Sequence, residues 1–378
     1  MNEIKPFKTI SPGAVIQKSM EYMGWNQTDL SQITGLSGKT ISLLVQDKQN
    51  ISPEVAVLLG GAFEKTPEFW LNLSAKWQIA KEETKEQKEE LIKAKAQMYK
   101  YMPVNEIKNK GWFLNDVSTL SGIKNEYERL FETREFPEEY YENERMKFAA
   151  RQTRNDTELT DYYRTTWFSF AKLHAKNIES QSKNWSKYDA QTLKEIANNL
   201  YGYTTQINGI EKIIDDLKNI AGVQFFVLSH LSKTYLDGAS FLQDNRPFIV
   251  YTGRYDREDN FWFVIAHEIA HILHHYDFLE KSFLDNIDDK ETIKKNEREA
   301  EADKYANMYL HKQSVLRFAS QIGTYVTEQR IFNISRNSGV SVPVALGMMQ
   351  HEGIVPWSRF SKYKPKVMEK IPNEYIKG

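Results

Sequence analysis

Cysteine is absent from the 378 residues. Its absence excludes disulfides, thiolate-ligated zinc, iron–sulfur clusters and thiol nucleophiles, and it fits a reducing cytoplasm. No uninterrupted apolar run approaches the ~20 residues of a membrane span. The opening MNEIKPFKTISPG has no apolar core segment, so neither a membrane helix nor a secretory signal is expected. Net charge is nearly absent too. Fifty basic against 51 acidic side chains leave a formal −1, with no global pull toward nucleic acid or anionic lipid. Apolar residues are not scarce: at 40%, with 13% aromatic, they supply real cores and exclude a disordered chain. A chain of 378 residues implies two or three domains.

Residues 11–75 read as short helices. Ser11 is a candidate N-cap with Pro12 at the first helical position, and ISPEVAVLLGGAFE repeats that Ser-Pro start. Between them QTDLSQIT, the turn GLS and GKTISLLVQD have the helix–tight turn–helix layout of a DNA-binding fold. Residues 76–135 begin with the charged, Gly- and Pro-free KWQIAKEETKEQKEELIKAKAQMYK, expected to be a long solvated helix, and continue as a helical linker with breaks at Pro103 and Gly111. Residues 136–220 are expected to be helical. At Gly222 the pattern changes: VQFFVLSH, GASFLQ and RPFIVYTG read as three short strands separated by turn signals. A helix from about Asn260 to Tyr276 should follow, then a charged loop, LDNIDDKETIKKN, and a second helix, EREAEADKYANMYLH. Residues 357–378 read as a basic, Pro-punctuated tail. The expected class is α+β and mainly helical, with a five-helix N-terminal domain and a small sheet of about three strands.

The stretch VIAHEIAHILHH places His267 and His271 four residues apart on one face of the expected helix, so both rings can reach one ion. A chance His-Glu-x-x-His in a chain of this composition is on the order of one in a hundred. Zinc suits two imidazoles, a third ligand and an open position. Glu268, rotated about 100° from His267, suits the base that takes a proton from the attacking water. The third ligand is sought in the second helix. Glu299 shares a face with Ala302, Asp303, Ala306 and Leu310, and a carboxylate on that apolar face needs compensation. Glu299 is therefore the chosen ligand, with Glu301 as the fallback and Asp303 as a hydrogen-bond partner for a ligating histidine. His274 and His275 read as packing or solvated residues beyond the site, and His351 as a candidate oxyanion stabiliser. GASFLQ or RPFIVYTG could offer a sheet edge to a peptide.

HEIAHILHH followed by EAEADKYANMYL resembles the ImmA/IrrE-type zinc metallopeptidases over about residues 220–355. The resemblance implies a zincin-like domain at 221–356, zinc on His267, His271 and Glu299, Glu268 as general base in a gluzincin-like site, and DNA-binding repressors as protein substrates. Residues 1–75 resemble the HigA-type helix-turn-helix antitoxins nearly end to end, including the closing PEFWLNL. That likeness implies operator DNA, a cognate ribonuclease toxin and a homodimer through this domain. The recognition helix would start near Ser37, with Ser37, Lys39, Thr40 and Ser42 as DNA contacts and Gly38 and Leu43 on the same face. Residues 1–75 hold six lysines, no arginine and seven acids, so phosphate affinity would draw on helix dipoles, a dimer or the basic tail. Two readings compete with the peptidase-regulator: a non-enzymatic regulator or antitoxin whose zinc domain is structural, and a pure docking protein. An intact Glu268 favours the enzyme.

Overall fold

In the computed structural model, which describes residues 10–81, 85–149, 158–181, 186–281, 289–321 and 326–378, the chain divides into two compact units, Met1–Lys93 and Ala94–Gly378. Among the described residues no helix is long and apolar enough to cross a membrane.

In the first unit, side-chain caps start each of four helices: α1 (Pro12–Met23) after Ser11, α2 (Gln27–Thr34) after Asn26, α3 (Gly38–Val45) after Ser37, and α4 (Pro53–Ala62) after Ser52. Asn26 and Asp29 form a reciprocal capping box. Gly35 ends α2 in the left-handed region at φ 72°, so the chain turns and α3 begins three residues later. Gly13 lets α1 lie against α3: a Cβ there would sit 2.3 Å from the Val45 carbonyl, and its N–H donates to Asp47 Oδ1 at 2.8 Å. Ile16, Leu30, Ile41, Leu44, Leu59 and Trp70 make the core. The fifth helix, α5, runs Pro67–Lys81, past the expected boundary at residue 75. The expected long helix is helical on both sides of residues 82–84, which lie outside the described residues, and resumes as α6 (Lys85–Tyr101).

The second unit continues with α7 (Val104–Asn109), α8 (Leu120–Phe131), α9 (Glu138–Ala149), α10 (Glu158–Gln181), α11 (Ala190–Asn198), α12 (Leu200–Thr204) and α13 (Gly209–Asn219). Three strands follow: β1 (Gln224–Val227), β2 (Gly238–Gln243) and β3 (Arg246–Tyr251), in the order β1-β3-β2. Asp244 and Asn245, at φ 49° and 60°, make the two-residue turn that folds β2 antiparallel onto β3. β3 pairs with β1 in parallel and is buried on both faces, from Phe248 to Tyr251. RPFIVYTG is therefore the central strand, both of its ladder sides are occupied, and the expectation that it could offer an edge is corrected.

Helix α14 (Glu258–His274) lies on this sheet, followed by α15 (Tyr276–Lys281), α16 (Asp289–Tyr309), α17 (Lys312–Ala319), α18 (Glu328–Ser338) and α19 (Val342–His351). The charged stretch expected as a loop is helical from Asp289, eight residues before the expected start; residues 282–288 lie outside the described residues. The basic tail is not a free cationic arm. Ile376 forms a parallel bridge with Val227 beyond β1, and Lys377 N–H donates to the Val227 carbonyl at 2.9 Å. Its lysines neutralise the acids that open α14: Lys364 meets Asp259 and Lys370 meets Glu258, each at 2.7 Å. Asp256 accepts the Val367 and Met368 N–H groups at 2.8 and 2.9 Å. The tail thus pins the first turn of α14, and Lys364 and Lys370 are spent there rather than held for phosphate. It also covers the β1 side of the sheet. Among the described residues, β2 is the edge strand with no further strand beside it.

Candidate metal centre

α14 carries its apolar residues toward the sheet and toward α16. Ala266, Ala270, Ala302 and Ala306 are fully buried. Small side chains at such a seam let two helices approach closely, and here imidazoles of α14 reach carboxylates of α16. His267 Nε2 lies 3.0 Å from His271 Nε2 and 3.4 Å from Glu299 Oε2. His271 Nε2 lies 3.7 Å from Glu299 Oε1. One donor atom from each of the three residues falls within 4.8 Å of the others, a group able to hold a metal ion. Two imidazole nitrogens and a carboxylate oxygen suit a divalent transition metal.

The remaining ring atoms are committed. His267 Nδ1 is 2.9 Å from Asp303 Oδ1. Burial opposes a charged His267, but its hydrogen bonds to Asp303 and Glu299 and the nearby charges of Glu268 and Glu299 hold its pKa up at about 10. So much negative charge around one imidazole is what a bound cation would offset. Glu301, the fallback ligand, faces elsewhere: its Oε2 is 3.2 Å from His275 Nε2. His275 is buried rather than solvated, and its Nδ1 lies 3.1 Å from His271 Nδ1. His274 packs as expected, stacked on Tyr305 at 3.6 Å with its Nε2 3.1 Å from the Tyr309 hydroxyl. The four-residue spacing from His271 to His275 stands in the sequence, but the contacts of His275 with His271 and Glu301 are set by the fold.

Glu268 is buried against the start of β2. A Cβ at Gly238 would lie 2.4 Å from Val264 Cγ1 and 3.2 Å from Glu268 Oε1, so glycine is what lets the edge strand lie against this carboxylate. His351 is not brought to this group. It ends α19 with its side chain 74% exposed and Nδ1 3.5 Å from Glu352 Oε1.

On α3, Ile41 and Leu44 turn inward and Lys39 is exposed. Ser37 Oγ accepts the Thr40 N–H at 3.1 Å and lies 2.8 Å from Thr40 Oγ1, so both hydroxyls are engaged in the cap. Ser42 Oγ accepts from Gln46 at 3.1 Å.

Residues 221–346 match the Peptidase_M78 family model, described as an IrrE N-terminal-like domain. The N-terminal part matches an uncharacterized HTH-type transcriptional regulator of Haemophilus influenzae, 37% identical over 70 residues, which are 18% of this chain and 65% of that protein. It also matches the HTH-type transcriptional regulator YddM of Escherichia coli, 29% identical over 72 residues, which are 19% of this chain and 77% of that protein. The virulence-associated protein A' of Dichelobacter nodosus is 31% identical over 70 residues, 18% of this chain and 61% of that protein. The chain therefore carries an IrrE N-terminal-like domain of the Peptidase_M78 family in its C-terminal part, joined to an N-terminal part similar to HTH-type transcriptional regulators.

Proposed function

We propose that the C-terminal domain is a zinc metallo-endopeptidase of gluzincin type that cleaves a repressor-like regulatory protein, and that the N-terminal unit directs it. The observation that carries the reading is the convergence of His267, His271 and Glu299 beside the buried carboxylate of Glu268. Zinc with ligands at about 2.0–2.1 Å in a tetrahedron has ligand–ligand edges of about 3.3 Å. The two imidazole nitrogens are 3.0 Å apart, and each lies 3.4 or 3.7 Å from one of the two Glu299 oxygens, separations of the size of that edge. A zinc ion held there would supply the Lewis acidity that polarises a peptide carbonyl and activates water. Glu268 takes the proton of the attacking water and delivers it to the departing amine. β2, whose first residue touches Glu268, is the edge along which a substrate chain pairs, with main-chain hydrogen bonds supplying affinity.

Operator DNA, a cognate toxin and a second copy of the HTH unit are the proposed partners of the N-terminal part. One observation favours protein contact as a second reading: six lysines face seven acids in residues 1–75, and the Ser37 and Thr40 hydroxyls are engaged with each other. A gel shift of the full chain on its own upstream DNA separates the two. Retardation that weakens steeply with salt supports operator binding, and none supports the protein-contact role.

The enzyme is tested by Glu268→Gln. Zinc content should persist while cleavage of the partner stops; unaltered cleavage would contradict Glu268 as the base, and a native chain that binds zinc and cleaves no partner would favour the alternative, a regulator whose metal domain is structural or a docking module.

A further inference from the structure

The two ligand histidines are backed differently. His267 Nδ1 meets a carboxylate directly, Asp303 at 2.9 Å. His271 Nδ1 meets a second imidazole instead, His275 Nδ1 at 3.1 Å, and the far nitrogen of that ring meets Glu301 at 3.2 Å. We propose that His275 and Glu301 form a positioning relay that fixes the ring orientation and tautomer of His271 and so its strength as a metal ligand. The inference rests on the reading of His267, His271 and Glu299 as the metal-binding group.

Proton counting gives the relay a single direction. His271 turns Nε2 toward His267 and Glu299, so that nitrogen must keep its lone pair free to bind a metal. Its hydrogen then sits on Nδ1, which donates. His275 Nδ1 must accept, so it carries no hydrogen, and the neutral ring bears its hydrogen on Nε2. That nitrogen faces Glu301 Oε2, a carboxylate oxygen that can only accept when ionised. Every polar atom in the chain Glu301–His275–His271 therefore has one role. The opposite tautomer of His275 would set two N–H groups against each other across 3.1 Å and drive the His271 hydrogen onto the metal-binding nitrogen.

Burial supports the assignment. The His275 side chain is 5% exposed, so water cannot replace either partner, whereas Glu301 is 49% exposed and anchors the relay at the surface. A residue serving only to fill this space would need no hydrogen-bonding capacity, and leucine would fill it as well. His275 and Glu301 stand in contact with no substrate path named above; they act through His271.

The test uses the full chain and inorganic zinc. Zinc affinity is read by competition with a chromophoric chelator, alongside the visible spectrum of the cobalt-loaded protein. His275→Leu should weaken zinc roughly 10- to 100-fold and shift the cobalt bands. His275→Asn, whose amide oxygen can accept the His271 hydrogen, should recover most of that loss. Glu301→Leu, at a half-exposed position that cannot disrupt the core, should weaken zinc several-fold. Histidine-selective ¹⁵N spectra of the zinc-loaded native chain should report His275 as the Nε2–H tautomer. The relay is overturned by an Nδ1–H tautomer at His275, by affinities of His275→Leu and Glu301→Leu within about twofold of native, or by His275→Asn losing as much as His275→Leu. If the native chain binds no zinc, the underlying metal reading falls and the relay with it; if the native chain binds zinc and the variants match it, only the relay falls.

Discussion

His267 and Asp303 lie in different helices, 36 residues apart, with Nδ1 and Oδ1 separated by 2.9 Å. That bond ties α14 to α16 at the level of the metal group and orients Nε2 toward His271 and Glu299. Replacing Asp303 by Ala should leave the fold intact, because the side chain is 54% exposed, yet weaken zinc about tenfold or more. Chelator competition measures it. An unchanged affinity would mean that His267 needs no such support.

The raised pKa of His267 makes metal-free stability depend on pH. The folded-state value of about 10 lies above the ordinary 6.5. Between those values the native state binds more protons than the unfolded chain, so this contribution is complete below about 6.5 and is lost as pH rises toward about 10. Thermal unfolding of metal-free protein should show that decline. Zinc requires the unprotonated ring, so calorimetry at pH 8 in buffers of different ionisation enthalpy should show about one proton released per zinc. Uptake without proton release would contradict the assignment of His267.

Gly238 lets the edge strand lie against Glu268, the proposed general base. Gly238→Ala places a methyl 2.4 Å from Val264 Cγ1 and 3.2 Å from Glu268 Oε1. Overpacking of this kind costs about 1–3 kcal/mol. Cleavage should fall at least tenfold with zinc content unchanged, read by metal analysis beside a cleavage assay. Native cleavage by this variant would remove β2 from the site.

The C-terminal tail is a structural part of the second unit. Lys364 and Asp259 are both almost fully buried, at 5% and 7% exposure. Breaking a buried pair on one side costs about 3–5 kcal/mol. Arg257 still contacts Asp259 at 3.1 Å, so Lys364→Met should cost near the lower end, as a lowered unfolding midpoint. No change in the midpoint would make the tail a loose appendage.

Much of this architecture is legible in the residues. Caps and glycines mark the helix-turn-helix, because Ser11, Asn26, Ser37, Gly24 and Gly35 act locally. The strand pattern and the Asp244-Asn245 turn are local as well. Helical phase separates Glu299 from Glu301, and the two carboxylates do face different histidines. What escapes the sequence depends on distant partners. His275 reads as peripheral until α16 crosses α14 and buries it. Lys364 reads as a cationic tail residue until Asp259 neutralises it 105 residues away. RPFIVYTG and GASFLQ both read as strands, but only the pairing with β1 decides which is central.

Metal content of the full-length chain, measured beside that of His267→Ala, tests the central claim most directly. The native protein should hold about one zinc per chain and the variant almost none. Stoichiometric zinc retained by His267→Ala would contradict the placement of the metal on His267, His271 and Glu299.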